Sequence, residues 1–293
     1  MTITNPAEPA FAADNHLGET PLWSGREQAL YWVNCEQPPQ VHRWYPGEDR
    51  HDSWDMPERV GGIALKASGG LLVVLSHGIY DFDPLSGSLE LRLASPLPAH
   101  ISLHETLVDR QGRLWVGAYD HQFTPDNRDA KGGFIFRLDG DVLTPVVPGI
   151  SVANGLAVSP DNTVLYYADA PTRTAMACDL DPASGELGEP REFLRLQDGE
   201  GFVDGATVDA EGGYWLAAVG AGAMRRYLPD GSLDRVVKIP VSNPTKAAFG
   251  GAGLNTLYVT TTRLKIGPDA EANGGVYALD VGVRGLPEPE FRD

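Results

Sequence analysis

One short phrase, recurring six times at intervals of roughly 40 to 50 residues, constrains this chain more than any other feature, because that period belongs to propeller blades and not to helical solenoids. The copies are Glu-Thr-Pro-Leu-Trp (19–23), Gly-Gly-Ile-Ala-Leu (61–65), His-Glu-Thr-Leu-Val (104–108), Asn-Gly-Leu-Ala-Val (154–158), Asp-Gly-Ala-Thr-Val (204–208) and Thr-Lys-Ala-Ala-Phe (245–249). Each is followed by a turn rich in Gly, Asp, Asn and Ser, residues that tolerate positive φ or bond their own backbone. A second run comes next: Ala-Leu-Tyr-Trp-Val, Leu-Leu-Val-Val-Leu, Arg-Leu-Trp-Val-Gly, Val-Leu-Tyr-Tyr-Ala, Gly-Tyr-Trp-Leu-Ala and Thr-Leu-Tyr-Val-Thr. Aromatic and β-branched residues of this kind suit pleated surfaces. Most copies continue into a third strand, from Gly78, Gly133, Met224 and Gly275, and several of these end in hairpin signals leading to a fourth. No stretch sustains a helical period beyond a turn or two. Six copies of three to four strands predict an all-β, six-bladed β-propeller.

The repeats run on without a linker, so a single domain over 1–293 is expected, with the polar, proline-containing residues 1–10 as a flexible tail. Phe11 to His16 offers an outer strand that would close the last blade and remove an exposed sheet edge. There is no 18-residue apolar run, and the first residues carry neither a basic region nor an apolar stretch, so neither a membrane span nor an export signal is expected. The two cysteines, Cys35 and Cys178, are too few for a disulfide framework and fit a reducing cytoplasm; neither reads as catalytic. A formal charge of −17 and a pI near 4.7 argue against nucleic acid or anionic lipid as partners, since such binding needs Lys and Arg patches. Nothing in the pattern fixes an oligomeric state.

In a propeller the innermost strands line a central channel, so equivalent positions project toward one axis. The aligned ring is Glu19, Gly61, His104, Asn154, Asp204 and Thr245. Two carboxylates sharing a cavity raise each other's pKa unless a cation lies between them. Oxygens from Glu19, Asn154 and Asp204 suit one hard or borderline divalent cation, drawn from Ca, Zn, Mn, Mg and Fe. The competing reading makes Asn154-Gly155 and Asp204-Gly205 plain turn dipeptides. Against it, turns elsewhere in each repeat already reverse the chain.

At these residues the chain resembles the gluconolactonase and regucalcin (senescence marker protein) family of six-bladed lactone hydrolases. The resemblance covers nearly the whole chain and is carried by Leu-Gly-Glu-Thr-Pro-Leu-Trp from Leu17, Ala-Asn-Gly-Leu-Ala-Val-Ser-Pro-Asp from Ala153, Val-Asp-Gly-Ala-Thr-Val-Asp-Ala-Glu-Gly from Val203, and Pro-Thr-Lys-Ala-Ala-Phe-Gly-Gly from Pro244. It implies that Glu19, Asn154 and Asp204 are metal ligands and that Asp204 doubles as the general base. The family phrase Arg-x-Asn-Asp-Gly becomes Ser102-Leu103-His104-Glu105-Thr106, and an acidic position after the next strand falls on Gln122. Losing an arginine there removes a bidentate donor. Ser102, His104, Tyr119 and Gln122 are the candidate substrate contacts. For His104 three roles stand open: contact with substrate or water, a fourth metal ligand, or a hydrogen bond within the channel wall. Glu105 is expected beside a backbone donor or facing a neighbouring blade.

The activity so implied is cation-assisted opening of a lactone, a sugar (aldono-) lactone above all, to its hydroxy acid, with a place in carbohydrate metabolism. A hydrolase of less hydroxylated lactones or aryl esters is the alternative within enzymes, and a non-catalytic metal- or ligand-binding propeller the alternative outside them. Gly-x-Ser-x-Gly, phosphate-loop and dinucleotide fingerprints are absent, which disfavours a covalent acyl-enzyme and nucleotide chemistry. Gly220–Gly222 reads as a hairpin.

Overall fold

The structure is a computed structural model and describes residues 2–4, 9–48, 50–124, 126–264 and 273–292. Among the described residues the strands form six sheets arranged as the blades of a propeller. The innermost strands are Gly18–Ser24, Val60–Leu65, Ile101–Val108, Ala153–Val158, Phe202–Val208 and Pro244–Gly250. Each pairs antiparallel with the aromatic and β-branched strand that follows it: Ala29–Asn34, Leu71–Leu75, Leu114–Asp120, Val164–Asp169, Tyr214–Val219 and Thr256–Thr261. Those second strands are buried on both faces, which explains why they read as continuous apolar runs rather than alternating ones. Outer strands such as Arg50–Asp55 lie half in solvent and carry charged residues accordingly.

Burial between neighbouring blades holds the ring together. Six apolar clusters are present among the described residues, one in each gap between adjacent sheets. Trp32, Trp115 and Trp215, each wholly buried, anchor three of them. Removing side chains of this size from water is worth about 1.5–3 kcal/mol or more apiece, so the sheet faces and not the edges carry the fold.

The two ends of the chain finish the ring in different ways. Among the described residues the sixth blade has three strands, and the N-terminal segment adds to it at one point: Phe11 exchanges backbone hydrogen bonds with Val276, at 3.1 and 2.9 Å. The outer strand expected over Phe11–His16 is thus reduced to a single bridge, because the segment turns inward after Phe11 to reach the first blade. Of the first ten residues, Thr2–Thr4 lies parallel to Leu233–Lys238 at the edge of the fifth blade, whereas residues 1 and 5–8 fall outside the described residues. The C-terminal segment 284–292 crosses the channel end at which the innermost strands finish. It bonds to Ala210, Leu254, Leu65, Ala67 and Gly112 in turn. No helix among the described residues is long and apolar enough to cross a membrane.

Candidate functional site

Every innermost strand breaks register at the ring position. The shifts fall between Glu19 and Leu22, Val60 and Gly62, Leu103 and Thr106, Asn154 and Ala157, Val203 and Ala206, and Pro244 and Lys246. A β-bulge leaves one residue unpaired and re-aims its side chain. Asn154-Gly155 and Asp204-Gly205 are therefore strand bulges and not hairpin turns. The glycines serve close approach: a Cβ on Gly205 would stand 2.5 Å from the Lys246 side chain, and one on Gly155 2.6 Å from the Tyr214 hydroxyl.

Glu19 and Asn154 are buried and Asp204 is half-buried. Burial pushes the Glu19 carboxyl up to about 7, with Lys246 pulling it down and Glu105 adding to the rise. Burial first, then the charges of Glu19 and Glu105, hold Asp204 well above the usual carboxylate range. Burial dominates both shifts, and the neighbouring carboxylates add to it against the opposing charge of Lys246. The nearby ammonium of Lys246 is committed elsewhere, donating to Glu105 Oε1 at 2.6 Å and to the Thr106 carbonyl at 3.2 Å. Among the described residues no group of three or more His, Cys, Asp or Glu side chains is able to hold a metal ion. The donor set here is different in kind, two carboxylates and an amide oxygen, and its all-oxygen chemistry fits a hard divalent cation.

Asn154 and Asp204 line a cavity of about 510 Å³, with Phe123, Val152, Phe202 and Lys131 among its walls. That volume lies within the range typical of small-molecule pockets. At the far end of the channel a cavity of about 50 Å³ is bounded by Leu286, Pro287, Glu288 and Pro289 of the C-terminal segment.

The other sequence candidates gather on the third blade. Ser102 Oγ lies 2.8 Å from His121 Nε2, the His121 ring packs tilted against Tyr119 with centroids 4.2 Å apart, and Tyr119 stands 6.0 Å from the ring of His104. His104 is buried and held neutral, its pKa well below the ordinary histidine value because of burial and the neighbouring charges of Arg59 and Lys246. Gln122 stands exposed on the following loop, where its amide donates to Asp120 Oδ1 at 3.0 Å. Glu105 is buried as expected: its Oε2 accepts from the Leu156 amide at 3.0 Å, across a blade boundary.

Two residues went unassigned in the sequence. Lys246 is the cationic partner of Glu105, and the alignment did contain the signal. The position after each ring residue reads Thr20, Gly62, Glu105, Gly155, Gly205 and Lys246, so the two charges in that column have opposite sign. Arg59 directs Nη1 and Nη2 at His104 Nδ1, at 3.3 and 3.4 Å. It stands two residues before Gly61, as Ser102 stands two before His104.

Known proteins share this architecture. Residues 17–263 match the family model described as the SMP-30/Gluconolactonase/LRE-like region. A 6-deoxy-6-sulfogluconolactonase of Pseudomonas putida is 37% identical over 288 residues, covering 94% of each chain. An L-arabinolactonase of Azospirillum brasilense is 34% identical over 288 residues, covering 94% of this chain and 92% of its own. Among solved structures, a calcium-binding regucalcin from Agrobacterium tumefaciens superposes with a TM-score of 0.91 at 25% identity, covering 100% of this chain and 99% of that one.

Proposed function

The chain belongs to the SMP-30/gluconolactonase/LRE-like family, and from that membership we propose that it hydrolyses a sugar lactone to the corresponding hydroxy acid, using Glu19, Asn154 and Asp204 to hold one divalent cation. The observation that carries the reading is the placement of these three oxygen donors on equivalent bulges of separate blades, with two carboxylates raised by burial and then by neighbouring carboxylate charge. A bound divalent cation would polarise the lactone carbonyl and stabilise the negative charge that develops on its oxygen. Asp204 takes a proton from the attacking water as that water's oxygen bonds to the carbonyl carbon. When the ring C–O bond breaks, the departing alkoxide recovers a proton from Asp204, and a hydroxy acid leaves. Val152 and Phe202 offer apolar contact to the substrate, while Lys131, exposed in the lining of the same cavity, offers a cation to polar or acidic substituents.

The relatives' names span sulfonated and plain sugar lactones, so the test is a panel of both, with aliphatic lactones and an aryl ester beside them. The predominantly apolar lining favours, as a second reading, a less hydroxylated ring. Opening of aldonolactones above all others, lost on chelation and restored by a divalent cation, is the expected result. Asp204→Asn lowers kcat by about 10²-fold or more, the scale of a lost general base, and weakens cation binding measured by calorimetry. A metal-loaded protein that opens no lactone faster than buffer would sink the proposal.

A further inference from the structure

The ring position of the second blade is Gly61, which has no side chain. The arginine two residues ahead of it, Arg59, reaches across to the third blade instead. Its backbone is fixed there, the carbonyl accepting from the Ser76 amide at 3.0 Å, and its Nε lies 4.0 Å from Glu36 Oε2. Both terminal nitrogens face His104 Nδ1.

A guanidinium donates hydrogen bonds and accepts none. The nitrogen it faces must therefore be the acceptor of the imidazole, which assigns the ring proton to Nε2. Ligation of a cation through Nε2 would need the opposite tautomer, with an Nδ1–H turned against two N–H donors. Ligation through Nδ1 would need Arg59 gone. Metal-bound histidines show the reverse pattern, donating from the second nitrogen to a carboxylate or carbonyl.

We infer that Arg59 is a positioning and specificity-determining residue, which locks His104 as a neutral Nε2–H donor to an oxygen of the substrate and keeps it from ligating the cation. The proposal rests on the lactone-hydrolase reading for the identity of that oxygen, but not for the tautomer. A neutral donor at the ring position equivalent to Asn154 and Asp204 favours substrates with an accepting carbonyl, ring or hydroxyl oxygen over analogues lacking one. Such a donor, being buried, loses its hydrogen bond outright when the oxygen is absent.

The test begins with the whole protein labelled with ¹⁵N-histidine and with no substrate present. The His104 signals are assigned by their disappearance in His104→Gln. Expected is an unprotonated Nδ1 with a protonated Nε2, unchanged when magnesium or zinc is added to the chelated protein. In Arg59→Met a mixture of tautomers should replace it, and Arg59→Lys, which keeps a donor without the fork, should restore the single form. With a lactone that the protein opens, Arg59→Met should raise KM about tenfold or more while kcat changes less, and Arg59→Lys should recover part of that loss. A protonated Nδ1 in the parent protein, or a His104 Nε2 that gives up its proton to zinc, overturns the inference. Should Arg59→Met fail to fold, the parent spectrum and Arg59→Lys decide the matter. A protein that opens no lactone but shows the expected tautomer would sink only the activity.

Discussion

At the scale of single residues, one acid-sensitive stack lies on the first blade. His42 Nδ1 and His51 Nε2 lie 3.1 Å apart, and both rings stack on Trp32. Two imidazoles can share that bond only while one nitrogen keeps its lone pair. Burial, then the neighbouring His51, pushes His42 down to about 3 from an ordinary value of 6.5, and burial lowers His51 as well. Below pH 6.5 the unfolded chain takes up protons that the folded chain refuses. The contribution of His42 to stability is thus full above pH 6.5 and is lost progressively as pH falls toward 3, at about 1.4 kcal/mol per pH unit. His42→Phe keeps the stacking area and also removes Nε2, a buried atom with no hydrogen-bond partner. Urea midpoints measured between pH 7.5 and 4 should fall less steeply for His42→Phe than for the parent. Equal slopes would show that the stack does not set the acid limit.

At the scale of the element, the turn after an innermost strand does more than reverse the chain. In the fifth blade Asp209, wholly buried, accepts from the Glu211 and Gly213 amides, both at 2.9 Å, from Trp215 Nε1 at 2.7 Å, and from Arg226 at 2.6 and 3.2 Å. The third blade repeats the device with Asp109, Trp115 and Arg113. There, however, the arginine is partly exposed and also donates to the carbonyls of Pro182 and Ala183. Asp209→Ala leaves the buried Arg226 with only Glu211 and Asp234, at 2.9 and 3.0 Å, and should cost about 3 kcal/mol in urea denaturation, the low end for breaking a buried pair. Asp109→Ala should cost less, about 1–3 kcal/mol, and the reverse order would refute the role given to arginine burial. Asp-Ala-Glu-Gly and Asp-Arg-Gln-Gly were legible as turns because turn chemistry is local. The second task of each aspartate, bonding a tryptophan six residues on and an arginine, Arg113 at the end of the same turn or Arg226 from another strand, was not. The same boundary divides the site. Glu19, Asn154 and Asp204 could be aligned because each sits in its own repeat. The pairing of Arg59 with His104 and of Lys246 with Glu105 depends on packing across blade boundaries, which no single repeat encodes.

At the scale of the whole molecule, a ring must be closed, and closure joins parts of the chain that are far apart in sequence. Five blades meet their successors through ordinary loops, but the sixth meets the first across almost the full length of the chain. Asn15 is the hinge pin of that seam. Its amide nitrogen donates to the Gly274 carbonyl at 2.8 Å, and its amide oxygen accepts from Trp32 Nε1 at 3.2 Å. Its backbone N–H bonds the same Gly274 carbonyl at 3.0 Å, and the Thr262 and Thr245 hydroxyls donate to the His16 and Gly18 carbonyls on either side. Seam contacts of this separation form late and against loop-closure entropy, so each one lost weakens the closed ring without weakening any blade. Asn15→Ala removes the Trp32 acceptor and the side-chain donor to Gly274, in a site nearly inaccessible to water. At about 1–3 kcal/mol for an unsatisfied buried group, the loss should be about 2–4 kcal/mol. Asn15→Asp would set a buried carboxylate oxygen against the Gly274 carbonyl and should be at least as destabilising as Asn15→Ala. On the proposed reading, a cation held at Glu19, four residues on in the same blade, should protect both Asn15→Ala and the parent against thermal unfolding. Urea and thermal denaturation, with and without chelator, measure all three. A midpoint for Asn15→Ala equal to that of the parent would mean that the apolar faces between the first and sixth blades close the ring unaided.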